Sequence, residues 1–206
     1  MMKHWMGAVS IAAALLAGGI SVPAHAEAAD PAVQPVQTLC DTLIDVMKNA
    51  KTLGIQGRFN KLKPVVEQTF DLPDMTKYSV GPSWMKMSPQ DQQMLQAAFE
   101  RYTLANYASN FDGYGGEKFT VEPTVTPRVG GDKIVSTKLI GKDESHSLAY
   151  RMHQVGGTWK ILDVYYENSI SQLARQRSDF GATVQSGGAA ALEKKINALS
   201  DKLMKE

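Results

Sequence analysis

The sequence predicts an α+β fold in which helices come first, four antiparallel strands follow, and helices close the chain. Three observations carry this. Apolar residues recur at helical spacing as far as Asn110, alternate between Phe119 and Tyr166, and return to helical spacing from Ile170. The Gly156-Gly157 pair sits inside the alternating stretch as a two-residue hairpin turn. Strands and helices never alternate, which excludes a doubly wound nucleotide-binding fold.

Composition narrows the class further. The chain has 206 residues, a formal charge of +1, 43% hydrophobic and 21% charged residues. Those values suit one globular domain and are too polar for a multi-span membrane protein. No basic excess marks a nucleic-acid binder. The single cysteine, Cys40, excludes an internal disulfide framework and a cysteine-rich metal site.

The first residues read as an export signal. Lys3 and His4 precede the apolar run of residues 6–20, and Ala24-His25-Ala26 has the small-x-small pattern read by signal peptidase. That run is short against the roughly 20 residues that span a bilayer. The expected organisation is a signal peptide over 1–26, a flexible leader over 27–35 and one domain over 36–206. Removing 1–26 takes away Lys3 and no acid, so the mature chain is close to neutral. A location outside the cytoplasm follows.

The elements can be justified in order. Val36, Leu39, Cys40, Leu43, Met47 and Ala50 form a helical stripe with Gly54 as its cap. Phe59, Leu62, Val65 and Val66 suggest a helix over 57–68, with Pro64 blurring its boundaries. Residues 70–81 suggest a short helix stopped by Gly81-Pro82. Ser88-Pro89-Gln90-Asp91 supplies an N-cap hydroxyl, a proline at N1 and an acid at N3. The long helix it starts carries Leu95, Ala98, Phe99, Tyr102 and Ala105 on one face. Strands are expected around Phe119–Val125, where Pro123 demands an edge or a bulge, then over Lys133–Ile140, Ser145–Val155 and Thr158–Tyr166. The hairpin turn sets Gln154 opposite Trp159, Met152 opposite Ile161, Tyr150 opposite Asp163 and Leu148 opposite Tyr165. The other face of the hairpin then carries Arg151, His153 and Lys160. After Ile170 a helix runs to Gly187-Gly188, and Leu192, Ile196, Leu199 and Leu203 stripe the last one.

No chemistry-bearing motif appears. There is no nucleophile elbow, zinc-protease helix or phosphate loop, and His146 and His153 lie seven apart on opposite faces of a strand. No catalytic residue, metal or cofactor is expected. Asp163 is the exception in kind: an acid on an apolar face needs partners. Tyr150, Arg177 or a helix N-terminus could supply them. The same acid is the one candidate for proton chemistry, which keeps a small-molecule enzyme open as an alternative, beside a cargo-free assembly module.

Several segments resemble one family. Trp159–Ser171, then Arg177-Ser178-Asp179-Phe180 and Gly187-Gly188, are similar to the C-terminal signature of MlaC-type periplasmic phospholipid-binding proteins, also called toluene-tolerance auxiliary components. Gly81-Pro82-Ser83-Trp84, Ser88-Pro89-Gln90, Phe99 and Tyr107 resemble the family's central pattern, and the likeness spans roughly 36–204. Asp163-Val164-Tyr165 before Ser169-Ile170 and the Arg177–Phe180 motif look closer to the hopanoid-associated HpnM branch. Asn168, where many relatives carry glycine, and the Gly-Pro-Ser-Trp sequence depart from the commoner pattern.

The resemblance implies an NTF2-like cone: a curved four-stranded sheet covered by helices, with an apolar cavity between them. It implies a monomeric, non-catalytic carrier of phospholipid or hopanoid-type lipid. Its partners would be an inner-membrane ABC transporter complex bearing an MCE-domain protein and an outer-membrane lipoprotein–porin complex. With the hairpin register and helix stripes, the lining is expected from Leu43, Met47, Phe70 and Tyr78, from Leu95, Phe99 and Tyr102, and from Val121 and Leu139. Leu148, Tyr150, Met152, Ile161 and Tyr165 complete it. Asp163 and Arg177 are the expected buried polar anchor. Trp84, Met85, Lys86 and Met87 are a candidate docking rim, with Trp84 as a core plug the competing reading. Flexible methionines such as Met47, Met75, Met94 and Met152 suit a deformable apolar surface.

Overall fold

The computed structural model describes residues 29–205; the expected signal peptide lies outside them. Helix α1 (Val33–Lys48) buries Val36, Leu39, Cys40 and Leu43 on one face, the stripe its spacing predicts. α2 (Ala50–Thr69) follows almost directly and kinks at Gly54, whose φ of 58° only glycine adopts at little cost. The residue expected to cap the first helix therefore bends the second. α3 (Leu72–Val80) starts on Asp71, whose carboxylate accepts the Asp74 amide, and stops at Gly81. A 3-10 segment (Gly81–Lys86) leads to α4 (Pro89–Asn110), whose N-cap Ser88 accepts the Asp91 amide at 3.1 Å.

The sheet comprises β1 (Lys118–Val121), β2 (Thr126–Pro127), β3 (Lys133–Ile140), β4 (Ser145–Val155), β5 (Thr158–Tyr166) and β6 (Ile170–Ser171). All its ladders are antiparallel. α5 (Gln172–Leu203) ends the fold and bends at Gly188.

The four-stranded curved cone expected from the resemblance is not what forms. The sheet has six strands in the order β1-β3-β4-β5-β6, with β2 beside β3, and it is open, neither curled nor closed. Closure would require long tilted strands whose edges meet. Here the end strands have four and two residues, Pro123 separates β1 from β2, and β2 pairs with β3 only through Thr126 and Pro127. On the other side, the α2–α3 junction occupies part of the β5 edge. Phe70 makes an isolated parallel bridge to Ile161, and the Asp71 amide donates to the Ile161 carbonyl at 2.9 Å.

A bulge resets the central hairpin. Gln154 pairs with Trp159 and Met152 with Ile161, as the turn predicts, but Arg151 pairs with Asp163 and Tyr150 with Val164. Leu162 is thus an extra residue on β5. Side chains beyond it exchange faces: Val164 and Tyr166 join Tyr150 and Leu148, while Tyr165 moves to the face of Ala149. The expected Tyr150–Asp163 and Leu148–Tyr165 pairs are corrected accordingly. The face with Val135, Tyr150, Met152 and Ile161 belongs to the main core with the helices. The opposite face carries Arg151, which binds Asp132 at 2.6 Å, and His153, which binds Asp71 at 2.8 Å.

Candidate functional site

An open cleft of about 640 Å³ lies between α4, the first turns of α5 and the sheet's buried face. Its floor is apolar and polarizable. Met47 comes from α1, Met75 from α3, and Phe70 from the junction between α2 and α3. An aromatic run crosses this floor: Phe70 meets Tyr107 edge-on at 5.7 Å, Tyr107 stacks on Phe111 at 5.8 Å, and Phe111 leans on Phe119 at 6.4 Å. From the sheet come Leu139, Leu148, Tyr150 and, because of the bulge, Val164 and Tyr166.

The wall and mouth are polar. α4 contributes Tyr102, Thr103, Asn106 and Asn110, and α5 contributes Gln172, Arg175, Gln176 and Asp179. His146 stands at the sheet rim, where the Tyr166 hydroxyl lies 2.9 Å and Glu167 3.3 Å from its Nδ1. Burial pushes the phenols of Tyr107 and Tyr150 above their ordinary range, so both stay neutral hydroxyls. Burial also raises Tyr102, opposed by the nearby Arg175 cation and assisted by Asp179. The Cys40 thiol is pushed up to about 12 by burial, and as a thiol it is an inert core group.

The expected lining residues divide. Met47, Phe70, Tyr102, Leu139, Leu148 and Tyr150 meet in the cleft. Leu43, Leu95, Phe99, Met152 and Ile161 are fully buried in the closed core. Val121 lines a separate surface depression near Asp30. Tyr78 is 41% exposed outside the cleft, and the bulge turns Tyr165 away from it. Trp84 is 6% exposed and belongs to the core, so the expected four-residue rim loses its aromatic; Met85 is 78% exposed and Lys86 is also exposed, while Met87 packs on the core.

Asp163 and Arg177 do not form the expected anchor pair. The Asp163 carboxylate accepts from the Val164 amide (2.8 Å), the Ser171 hydroxyl (2.6 Å) and the Leu173 amide (3.1 Å). The helix N-terminus wins because it offers amides and a favourable dipole where β5 passes α5. Arg177 is exposed and lies over Gly81 instead. Asp163 is also absent from the cleft lining.

Sequence reasoning missed the polar half of the site. Its signal was the 3-1-3 spacing of Gln172, Arg175, Gln176 and Asp179, which puts all four on one side of a helix. The second missed set, Asn106, Tyr107 and Asn110, continues the cleft side of α4 one turn past Tyr102 and Thr103.

The MlaC protein family model matches residues 37–198 of this chain. The chain belongs to the MlaC family. Like other MlaC-family proteins it is periplasmic, and among the described residues no helix is long and apolar enough to cross a membrane. No curated protein matches it. Among solved structures, it is similar to a phospholipid-binding protein from Ralstonia solanacearum in complex with a phospholipid. The two share 18% identity and a TM-score of 0.72, over 84% of this chain and 98% of the other. At that identity the likeness speaks for the fold. The family is one of lipid carriers rather than enzymes, and nothing finer than the family is carried by these matches: the HpnM branch has no support among them.

Proposed function

We propose that this MlaC-family protein carries a phospholipid through the periplasm, with an acyl chain in the cleft between α4, α5 and the sheet and the headgroup at its polar mouth. The observation that carries this reading is the cleft itself, whose floor is aromatic and methionine-rich and whose rim is hydrogen-bonding. Its volume of about 640 Å³ falls within the roughly 300–1,000 Å³ of ordinary ligand pockets. At roughly 30 Å³ for each water-sized group, such a space takes about 20 methylenes, one acyl chain of common length. A second chain requires the helical wall to move outward. The bound phospholipid of the Ralstonia solanacearum protein supports this cargo over a hopanoid.

The energetics suit a shuttle. Burying each methylene contributes about 0.8 kcal/mol, and leaving a bilayer surrenders a similar amount, so loading and release stay near balance. A nearly neutral mature chain has no net positive charge to hold it on anionic membranes. Transfer therefore proceeds by docking, to an inner-membrane MCE-domain ABC transporter complex on one side and an outer-membrane lipoprotein–porin complex on the other. The exposed Met85-Lys86 pair is a candidate contact for either.

Native mass spectrometry of protein purified without added lipid, followed by organic extraction, tests the cargo. The expected result is an adduct of phospholipid mass that extracts as phospholipid. A hopanoid in the extract would replace the cargo, and apo mass alone across gentle preparations would defeat lipid carriage.

A further inference from the structure

Two opposite charges face the mouth of the cleft from the first turns of α5. Arg175 and Asp179 are one helical turn apart, and both line the cleft. Residues at this spacing are neighbours with about 5–6 Å between Cβ atoms, yet among the described residues no ion pair joins them. No side-chain hydrogen bond or other ion pair engages the Arg175 guanidinium or the Asp179 carboxylate there either. A basic residue preceding an acid is the weaker orientation for such a pair. What each charge reaches is the cleft: both act on the Tyr102 phenol, Arg175 favouring its ionised form and Asp179 opposing it. The rim histidine, His146, is already held by Tyr166 and Glu167.

We infer that Arg175 and Asp179 form a seat for a zwitterionic phospholipid headgroup, the guanidinium taking the phosphate diester and the carboxylate taking the ammonium of an ethanolamine-type group. This rests on the carrier reading above and names the lipid class the same cleft selects. Guanidinium matches a phosphate through paired N–H donors. The carboxylate one turn away discriminates against headgroups that end in hydroxyls or carry net negative charge, by lacking a partner cation.

The full mature chain, loaded from vesicles holding equal amounts of phosphatidylethanolamine and phosphatidylglycerol, is read by native mass spectrometry. Wild type is expected to carry several-fold more phosphatidylethanolamine. Asp179→Asn brings the ratio near one, and Asp179→Lys inverts it. Arg175→Gln lowers loading of both phospholipids about tenfold while diacylglycerol, which lacks a phosphate, loads as in wild type. Both residues are exposed, so each variant stripped of lipid is expected to melt at the same temperature as lipid-free wild type, and the ratio is read only on folded protein. The same ratio in wild type and both Asp179 variants overturns the inference while leaving lipid carriage standing. Failure of wild type to load any of the three lipids defeats the carrier reading itself. Glycerophosphoethanolamine, which has the headgroup without chains, should not displace lipid at millimolar concentration; displacement would reassign the seat to a soluble phosphodiester.

Discussion

Three donors converge on Asp163, and each comes from a different part of the junction between β5 and α5: the next amide in the strand, the N-cap hydroxyl and an amide of the first helical turn. Ser171 works twice, donating to Asp163 and accepting the Ala174 amide at 2.9 Å. Removing the carboxylate leaves part-buried donors without an acceptor, each worth about 1–3 kcal/mol. Asp163→Ala is therefore expected to cost about 3 kcal/mol in denaturant unfolding, and Ser171→Ala about 1 kcal/mol. The double variant should cost less than the sum, because the two share one bond. Strict additivity would mean that the acid and the cap act separately. An acid in an apolar stretch was legible in the sequence as a group needing partners. Which partner it took was not, since a helix N-terminus arrives from a different element.

At the scale of elements, the sequence was most legible where a local rule decides. The three long strands and the hairpin turn fall where alternation and Gly156-Gly157 put them, and α4 starts on Ser88. The bulge at Leu162 was missed because Ile161 and Leu162 are both apolar and either could face the core; its one trace in the sequence was Asp163, an acid that unbroken alternation places on the apolar face. It is this bulge that removes Tyr165 from the cleft and brings in Val164 and Tyr166. Arg58 was equally hidden. Its side chain is buried in the kinked helix α2, with Nε donating to the Ala108 carbonyl at 2.7 Å and Nη1 to the Ala50 carbonyl at 3.3 Å. Ala108 lies in the last turn of α4, where carbonyls lack helical partners. Arg58 thus ties the end of the cleft-forming helix to the kink set by Gly54. Arg58→Met keeps the apolar stem and loses both bonds, at an expected cost of about 2–3 kcal/mol. In thermal unfolding this is roughly 5–10 °C for a domain of this size. A shift under about 2 °C would show that the tie is dispensable.

For the whole molecule, the open sheet has a consequence a closed cone would not have. One sheet face packs on the helical core while the other reaches the helices through polar contacts such as His153 with Asp71, and the cleft is the part of the core-side contact left unfilled where α4 and the start of α5 stand off from β3–β5. An unfilled apolar floor forgoes packing energy, so cargo and stability are linked. A ligand present at 100 times its dissociation constant adds about 2.7 kcal/mol, and lipid-free protein should melt roughly 5–10 °C below loaded protein. Filling the space from within should break that link. Leu148 is half-buried on the cleft floor, and Leu148→Trp places an indole where an acyl chain would lie. The variant is expected to lose co-purifying lipid and to melt at the same temperature before and after solvent extraction, at or above lipid-free wild type. Overpacking costs about 1–3 kcal/mol where a core is already full, so a variant that instead melts well below lipid-free wild type marks Leu148 as closed core. Val164→Phe, reaching the same space from β5, then repeats the comparison. Full lipid content in both variants would move the cargo out of this cleft.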